Sequence, residues 1–274
     1  MKYKTGLLGQ AGIEKYSLSP FIHGSFFEQC GINGDYFAIG VKPEELENKL
    51  IELQKQGFIG LNLTIPHKIN VLKYITEIDK TAEKIGAINT ILFDKNSGIV
   101  GYNTDAYGFI EALNKNILNW RNKNKAIVFG SGGASHAVIY GLQENGIADI
   151  IICNRTDNKS LELAKHFNCK FVKWEDRNKV LQDRNLLINT TSAGMNDNSS
   201  LDIDLTNIKN NSIIYDIVYS PLITPLLQQA KTLSNKNLII LDGFHMLIYQ
   251  AAKSFEIWFN QSPEIICKYE HSKS

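Results

Sequence analysis

The run Lys125-Ala-Ile-Val-Phe129 followed by Gly130-Ser-Gly-Gly-Ala-Ser-His-Ala137 constrains this chain more than any other segment. Five mostly apolar residues of this kind form a buried strand, and the residues after Ala134 follow a helical pattern. Between them, Gly130, Gly132 and Gly133 permit a tight turn and a close backbone approach that a β-carbon would block. The helix that follows presents unpaired N–H groups and a positive dipole end, which suit a pyrophosphate. Ser135 stands where the third glycine of a G-x-G-x-x-G fingerprint usually falls. A glycine pattern alone also fits a plain turn, but a strand before it and a helix after it favour a dinucleotide site built from Gly130, Ser131, Gly132, Gly133 and Ala134.

The rest of the chain fits that frame. Strands are expected at 5–8, 36–41, 60–63 and 89–93, with helices at 19–30 and 43–56. Ser19-Pro20 suits an N-cap and first turn. After the fingerprint come a helix at 134–145, a strand at 149–153, a helix at 159–167, and buried strands at 186–189, 213–217 and 238–241. Alternation of this kind implies α/β architecture with parallel sheets. A final helix over 244–259 is apolar on much of its surface and must bury that face. Because the dinucleotide fold is complete by Leu241, that helix is expected to return to the first domain. The cleft between two α/β domains is then the default active site.

Composition narrows the partners. A formal net charge of +1 gives no electrostatic case for nucleic acid or an anionic membrane. No apolar run approaches a membrane span, and the apolar stretch after Met1 is too short for a signal peptide, so a cytoplasmic location is expected. The four cysteines, Cys30, Cys153, Cys169 and Cys267, form no C-x-x-C, and Cys153 in an apolar run reads as a buried small hydrophobe. The histidines show no metal-binding spacing, so no catalytic metal is expected.

Polar residues gather where strands of the first domain end: Ser17-Leu-Ser19-Pro20, Asn62-Leu-Thr64-Ile-Pro66-His-Lys68, Gly86-Ala-Ile-Asn89-Thr90 and Gly101-Tyr-Asn103-Thr-Asp105. Any one of these reads as a turn or cap. Together their hydroxyls and amides suit a small polyhydroxylated ligand. Lys68 and Asp105 are the charged members, open to reading as an acid–base pair or as a surface ion pair. In the second domain, Asn154-Arg155-Thr156 follows the strand at 149–153, where an NAD-binding fold usually carries a carboxylate. An arginine there pairs with a 2′-phosphate, with Lys159 as a second positive charge, so NADP is favoured over NAD. Asp157 is the objection, unless it caps the next helix. Thr224-Pro225 reads as a cap and first-turn proline. Tyr102 and Tyr107 stand open between core and site wall.

Taken in order, the motifs S-x-S-P, G-x-N-x-T-x-P-x-K, G-A-x-N-T, N-T-D-x-x-G, G-S-G-G-A and N-R-T resemble those of the shikimate dehydrogenase family. The likeness continues through Asn189-Thr-Thr-Ser-Ala-Gly-Met195, Tyr215-Asp-Ile-Val-Tyr-Ser-Pro221 and Asp242-Gly-Phe-His-Met-Leu-Ile-Tyr-Gln250. It implies an N-terminal substrate domain (1–107 with 243–274) and a Rossmann-type NADP-binding domain (108–242). It also implies NADP-linked, reversible reduction of 3-dehydroshikimate to shikimate, in aromatic amino-acid biosynthesis, by a monomer or homodimer. By this resemblance Lys68 and Asp105 are the catalytic pair. Ser17, Ser19 and Tyr219 are at the substrate carboxylate, while Thr64, Asn89 and Gln250 hold ring hydroxyls. Asn154, Arg155, Thr156, Lys159, Thr190, Ile217 and Gly243 join the fingerprint at the cofactor. Without the resemblance, Gln250 reads as a solvent-facing helix residue. The chain departs from the family at Gly24, where Asn is usual. A lysine ammonium can protonate the alkoxide that hydride transfer creates, and an adjacent carboxylate favours its charged form. Oxidation of the alcohol is therefore expected to speed up towards alkaline pH. Two other readings are kept: a quinate or shikimate dehydrogenase using NAD, and a non-catalytic dinucleotide sensor.

Overall fold

The computed structural model describes residues 2–195 and 200–265; Cys267 lies outside them. In chain order the elements are β1 (Tyr3–Gly9), α1 (Ser19–Gln29), β2 (Gly34–Gly40), α2 (Leu46–Lys55), β3 (Phe58–Leu63), α3 (His67–Asn70), β4 (Glu77–Ile78), α4 (Lys80–Ile85), β5 (Thr90–Asp94), β6 (Gly98–Tyr102) and α5 (Asp105–Asn116). There follow β7 (Lys125–Phe129), α6 (Gly133–Glu144), β8 (Asp149–Cys153), α7 (Asp157–Phe167), β9 (Lys170–Val172), β10 (Leu186–Asn189), β11 (Ile213–Asp216), α8 (Pro225–Thr232), β12 (Ile239–Leu241) and α9 (Phe244–Phe259). They fall in two compact units, Met1–Gly108 with Leu247–Ser274, and Phe109–Met246.

The first unit holds a six-stranded sheet in the order β2-β1-β3-β5-β6-β4. The parallel sheet expected from sequence is corrected here. β1 runs parallel to β2 and β3, but β5 is antiparallel to both β3 and β6. The short connection from β5 to β6 makes this a hairpin, which cannot be parallel. The reversal puts the start of β5 at the same sheet end as the finish of β3 and β6, so Leu63 N–H donates to the Asn89 carbonyl at 2.8 Å. One side of the sheet carries a core of Leu8, Leu46, Leu50, Leu53, Leu61 and Ile91. Another core gathers Ile22, Phe26 and Phe27 of α1 with Tyr36, Ala251, Phe255 and Trp258. Here α9 buries the apolar face that the sequence requires it to bury. Trp258 Nε1–H donates to the Ile91 carbonyl at 2.9 Å, satisfying the indole inside that core.

Two cap assignments change. Leu18, not Ser19, is the N-cap of α1, while Ser17 Oγ accepts from Ser19 N–H at 3.2 Å. Asp157 is the first residue of α7, with Thr156 at the cap position. It acts as a first-turn acid that complements the helix dipole. Thr224 does cap α8, accepting from Leu227 N–H, with Pro225 in the first turn. Gly24 lies within α1, and a β-carbon there would meet nothing within 4 Å.

In the second unit six parallel strands run β12-β11-β10-β7-β8-β9. Strand order reverses at β7, which lies between β8 and β10. Ligands of open α/β sheets bind at such a switch point, outside the carboxyl ends of the strands. The core on one face includes Ile127, Phe129, Leu187, Ile214, Leu226 and Leu227. Cys153 is fully buried, and burial pushes its thiol up to about 12, which makes it an inert hydrophobe.

Candidate active site

In the first unit the residues singled out at strand ends converge on one carboxylate. Asp105 opens α5, its N–H held by Asn103 Oδ1 at 3.0 Å, and it is 3% exposed. It stands at the positive end of the α5 dipole. Lys68, on the short helix α3 after β3, reaches it with Nζ 2.5 Å from Oδ2. The main chain around Lys68 is tied down as well, since its carbonyl accepts from Ile88 N–H at 2.8 Å. The lysine side chain keeps 14% of its surface exposed and the aspartate side chain 5%. This is a largely desolvated pair, and the surface ion pair is set aside.

Asn89 occupies the other carboxylate oxygen, with Nδ2 donating to Asp105 Oδ1 at 2.9 Å and to Thr104 Oγ1 at 2.9 Å. Its amide orientation is fixed, because Oδ1 accepts from the Thr104 backbone N–H at 2.7 Å. A longer contact of 3.3 Å runs from Asn89 Nδ2 to Gln250 Oε1 on α9, so Gln250 is not solvent-facing. Gln250 Nε2 in turn donates to the Leu247 carbonyl at 2.8 Å. Lys68, Asp105, Asn89 and Gln250 thus form one connected group. Ser17 is half-buried and Ser19 buried at the start of α1; Thr64 is half-buried after β3. Among the described residues no hydrogen bond joins these three side chains to the group. Tyr102, half-buried, ends β6, and Tyr107 on α5 is partly covered by the Lys253 ammonium at 5.6 Å from its ring.

Sequence reasoning placed Asn62, Thr90 and Thr104 in the polar strand-end segments without giving them a role, and passed over Ser254. All are buried, and they hydrogen-bond to one another behind Asn89. The available signal for Ser254 was its spacing, one helical turn beyond Gln250 and on the same face.

The second unit holds the glycine loop at its switch point. Gly130 follows β7 with φ of 113°, a left-handed conformation, and a β-carbon there would lie 2.5 Å from Thr190 Oγ1. Thr190 itself follows β10, donates from Oγ1 to the Phe129 carbonyl at 2.6 Å, and sits 2.6 Å from Ser135 Oγ. Ser135 in the third fingerprint position is therefore fully buried and hydrogen-bonded, which explains why glycine is not needed there. Gly132 is the exposed N-cap of α6, with Ser131, Gly133 and Ala134 half-buried around it. The first N–H groups of α6 have no carbonyl one turn before them, so this cradle fits a pyrophosphate.

Beyond β8, Asn154 is half-buried, whereas Arg155, Thr156 and Lys159 are exposed. Beyond β11, Ile217 and Tyr219 are half-buried. Gly243 is buried against Ile217, and a β-carbon on it would lie 2.0 Å from the Ile217 carbonyl oxygen. Close backbone approach is thus the physical reason for that glycine. Asp216, at the end of β11, is fully buried and accepts from Asn189 Nδ2, Val218 N–H and Thr224 Oγ1. Burial outweighs these donors and raises its carboxyl to about 6. No group of three or more His, Cys, Asp or Glu among the described residues could hold a metal ion, and no described helix is long and apolar enough to cross a membrane.

Three family models match in sequence order: "Shikimate dehydrogenase substrate binding domain" over residues 11–91, "Shikimate / quinate 5-dehydrogenase" over 112–239, and "Shikimate 5′-dehydrogenase C-terminal domain" over 243–265. The chain belongs to the shikimate dehydrogenase family. Within the family, it is 39% identical over 269 residues to the shikimate dehydrogenase (NADP(+)) of Paramagnetospirillum magneticum, covering 97% of this chain and 96% of that one. A solved relative is the shikimate 5-dehydrogenase of Thermus thermophilus in complex with NADP(H) and shikimate. It is similar with a TM-score of 0.85 and 34% identity, covering 96% of this chain and 95% of that chain. The quinate dehydrogenase of Corynebacterium glutamicum in complex with NAD also gives a TM-score of 0.85, at 27% identity, with coverages of 96% and 95%.

Proposed function

We propose that this family member is an NADP-dependent shikimate dehydrogenase, interconverting 3-dehydroshikimate and shikimate in the shikimate pathway. The observation that carries this reading is the buried Lys68–Asp105 pair with Asn89 bonded to Asp105 and to Gln250, in a chain whose second unit holds a pyrophosphate cradle. Residues 1–107 with 243–274 serve as the substrate domain and 108–242 as the cofactor domain. The division into two compact units at neighbouring boundaries supports this. A cytoplasmic setting is part of this reading.

In this reading the substrate carboxylate is held by Ser17 and Ser19, and its ring hydroxyls by Thr64, Asn89 and Gln250. The 3.3 Å Asn89–Gln250 contact is the longest in the group, and a ring hydroxyl would replace it, accepting from the asparagine and donating to the glutamine. Asp105 accepts from Lys68 Nζ and aims it. Lys68 donates a proton to the ketone oxygen as the alcohol forms, stabilising the charge that develops there. In the oxidative direction Lys68 must first be neutral, and it then takes the proton of the alcohol. Gly130 to Ala134 and the start of α6 would hold the pyrophosphate of NADP, with Thr190, Ile217 and Gly243 lining the same side. Asn154, Arg155, Thr156 and Lys159 would hold the 2′-phosphate end. When bound, NADPH supplies the hydride.

The test is initial-rate NADPH absorbance with shikimate or quinate, each paired with NADP⁺ or NAD⁺, beside Lys68→Ala. Turnover confined to shikimate with NADP⁺, and lost by roughly a hundredfold or more in the variant, is expected. Turnover with quinate and NAD⁺ would move the chain to the sister activity. No turnover in any pairing would leave a binding role.

A further inference from the structure

The buried face of α9 is apolar along Ala251, Phe255 and Trp258, but Ser254 on the same helix is fully buried among polar atoms. A hydroxyl placed there costs desolvation unless it is bonded, so its partners show its use. Ser254 Oγ–H donates to the Gln250 carbonyl at 3.0 Å, while its oxygen accepts from Asn62 Nδ2 at 2.8 Å and lies 3.1 Å from Thr104 Oγ1 and 2.8 Å from Thr90 Oγ1.

Atoms that can only accept set the direction of the bonds in this cluster. Asn62 Nδ2 also donates to the Asn89 carbonyl, which fixes the Asn62 amide. Its Oδ1 then accepts from the Tyr36 hydroxyl at 2.8 Å. The two Asn62 amide protons are directed at a carbonyl and at the hydroxyl oxygens of Thr90 and Ser254. Thr90, having accepted, donates to Asn89 Oδ1 at 3.0 Å. Asn89 Oδ1 also takes the Thr104 N–H, so its Nδ2 is left to face Asp105 and Gln250. Thr104 Oγ1, which accepts from Asn89 Nδ2, is held from behind by Ser254.

We infer that Ser254 is a positioning residue for the proposed reaction, acting through Thr104, which donates to it, and Asn62 to hold the Asn89 amide, and with it the Asp105 carboxylate, in register with Lys68. The inference rests on the dehydrogenase reading above. It makes α9 contribute two groups to the site: Gln250, which contacts Asn89 directly, and Ser254 one turn later, which orients it from behind. Removing the hydroxyl leaves Asn62 and Thr104 to re-pair in a site closed to water. The Thr104 N–H still sets which way the Asn89 amide faces, but Thr104 Oγ1, the acceptor behind its Nδ2, loses its own anchor, and Asn89 shifts against Asp105.

Steady-state kinetics of Ser254→Ala test this, with thermal unfolding measured in parallel. The expected result is a kcat for shikimate oxidation lowered by about ten- to a hundredfold and a raised KM for shikimate, with KM for NADP⁺ within about twofold of the parent. A folded variant with unchanged kcat and KM for shikimate, whatever its Tm, would overturn the inference. A parent enzyme without shikimate turnover would instead sink the dehydrogenase reading. If Ser254→Ala does not fold, Thr104→Val and Thr104→Ser ask the same question. The valine should reproduce the kcat loss and the serine should restore it; equal rates in the two would refute the relay.

Discussion

Replacing Asp216 by asparagine is expected to stabilise the protein near neutral pH, and by an amount that depends on pH. Asp216 is fully buried at the end of β11, with Oδ1 accepting from Asn189 Nδ2 at 2.9 Å and Val218 N–H at 3.1 Å, and Oδ2 accepting from Thr224 Oγ1 at 2.6 Å. Desolvation raises its carboxyl from 3.8 to about 6, against those three donors and with some help from the Asp242 charge. A carboxyl whose folded value lies above its unfolded one is protonated preferentially in the native state. Its stability contribution is therefore present below about pH 4 and is lost as pH rises through about 6. The gap of roughly two pH units is worth about 3 kcal/mol. Asparagine mimics the protonated acid: its oxygen keeps the Asn189 and Val218 bonds, and its amide can donate to Thr224 Oγ1. Urea unfolding of both proteins, followed by tryptophan fluorescence at about pH 4 and about pH 7.5, gives the difference directly, with all other titrating groups cancelling. The variant should gain about 2–3 kcal/mol on its parent between the two conditions. A difference that is flat, or that falls as pH rises, would refute the reasoning.

Other expectations concern the cofactor side. Arg155→Asp should weaken NADPH binding by roughly ten- to a hundredfold, because a carboxylate replaces a charge-assisted partner of the 2′-phosphate, while NADH binding changes by less than about threefold. Fluorescence titration with each nucleotide checks this, and equal losses would remove the proposed role. Gly243→Ala should destabilise the protein by about 3 kcal/mol or more, since its methyl would meet the Ile217 carbonyl carbon and oxygen within 2.3 Å and 2.0 Å. A Tm within about 2 °C of the parent would contradict it.

Much of the second unit was legible in the sequence because its signals are local. β8 and β10 occupy residues 149–153 and 186–189 as expected, and α9 covers residues 244–259, because continuous apolar runs and a long amphipathic pattern are decided by neighbours along the chain. β4 and β6 were not read. β4 has two residues, and β6 contains two glycines, Gly98 and Gly101, with too little hydrophobic pattern to identify it. The mixed sheet was missed for a related reason. A strand pattern carries no direction, and only the β5–β6 hairpin set the sense of β5.

At the candidate site, residue types and their motifs identified Lys68, Asp105, Asn89 and Gln250. Their joining was a matter of tertiary structure, since Asn89 and Gln250 stand 161 positions apart. By itself the sequence determined the strand–glycine–helix cradle, the α/β class and the family. The determinants of the cradle are backbone conformation and local burial, which a short segment encodes. Only the folded chain decided that the antiparallel β5 carries Asn89 to the sheet end where Lys68 and Asp105 meet, and that Ser254 stands behind them. Those outcomes depend on strand direction and on which face of α9 is buried, and both are fixed by packing between distant segments.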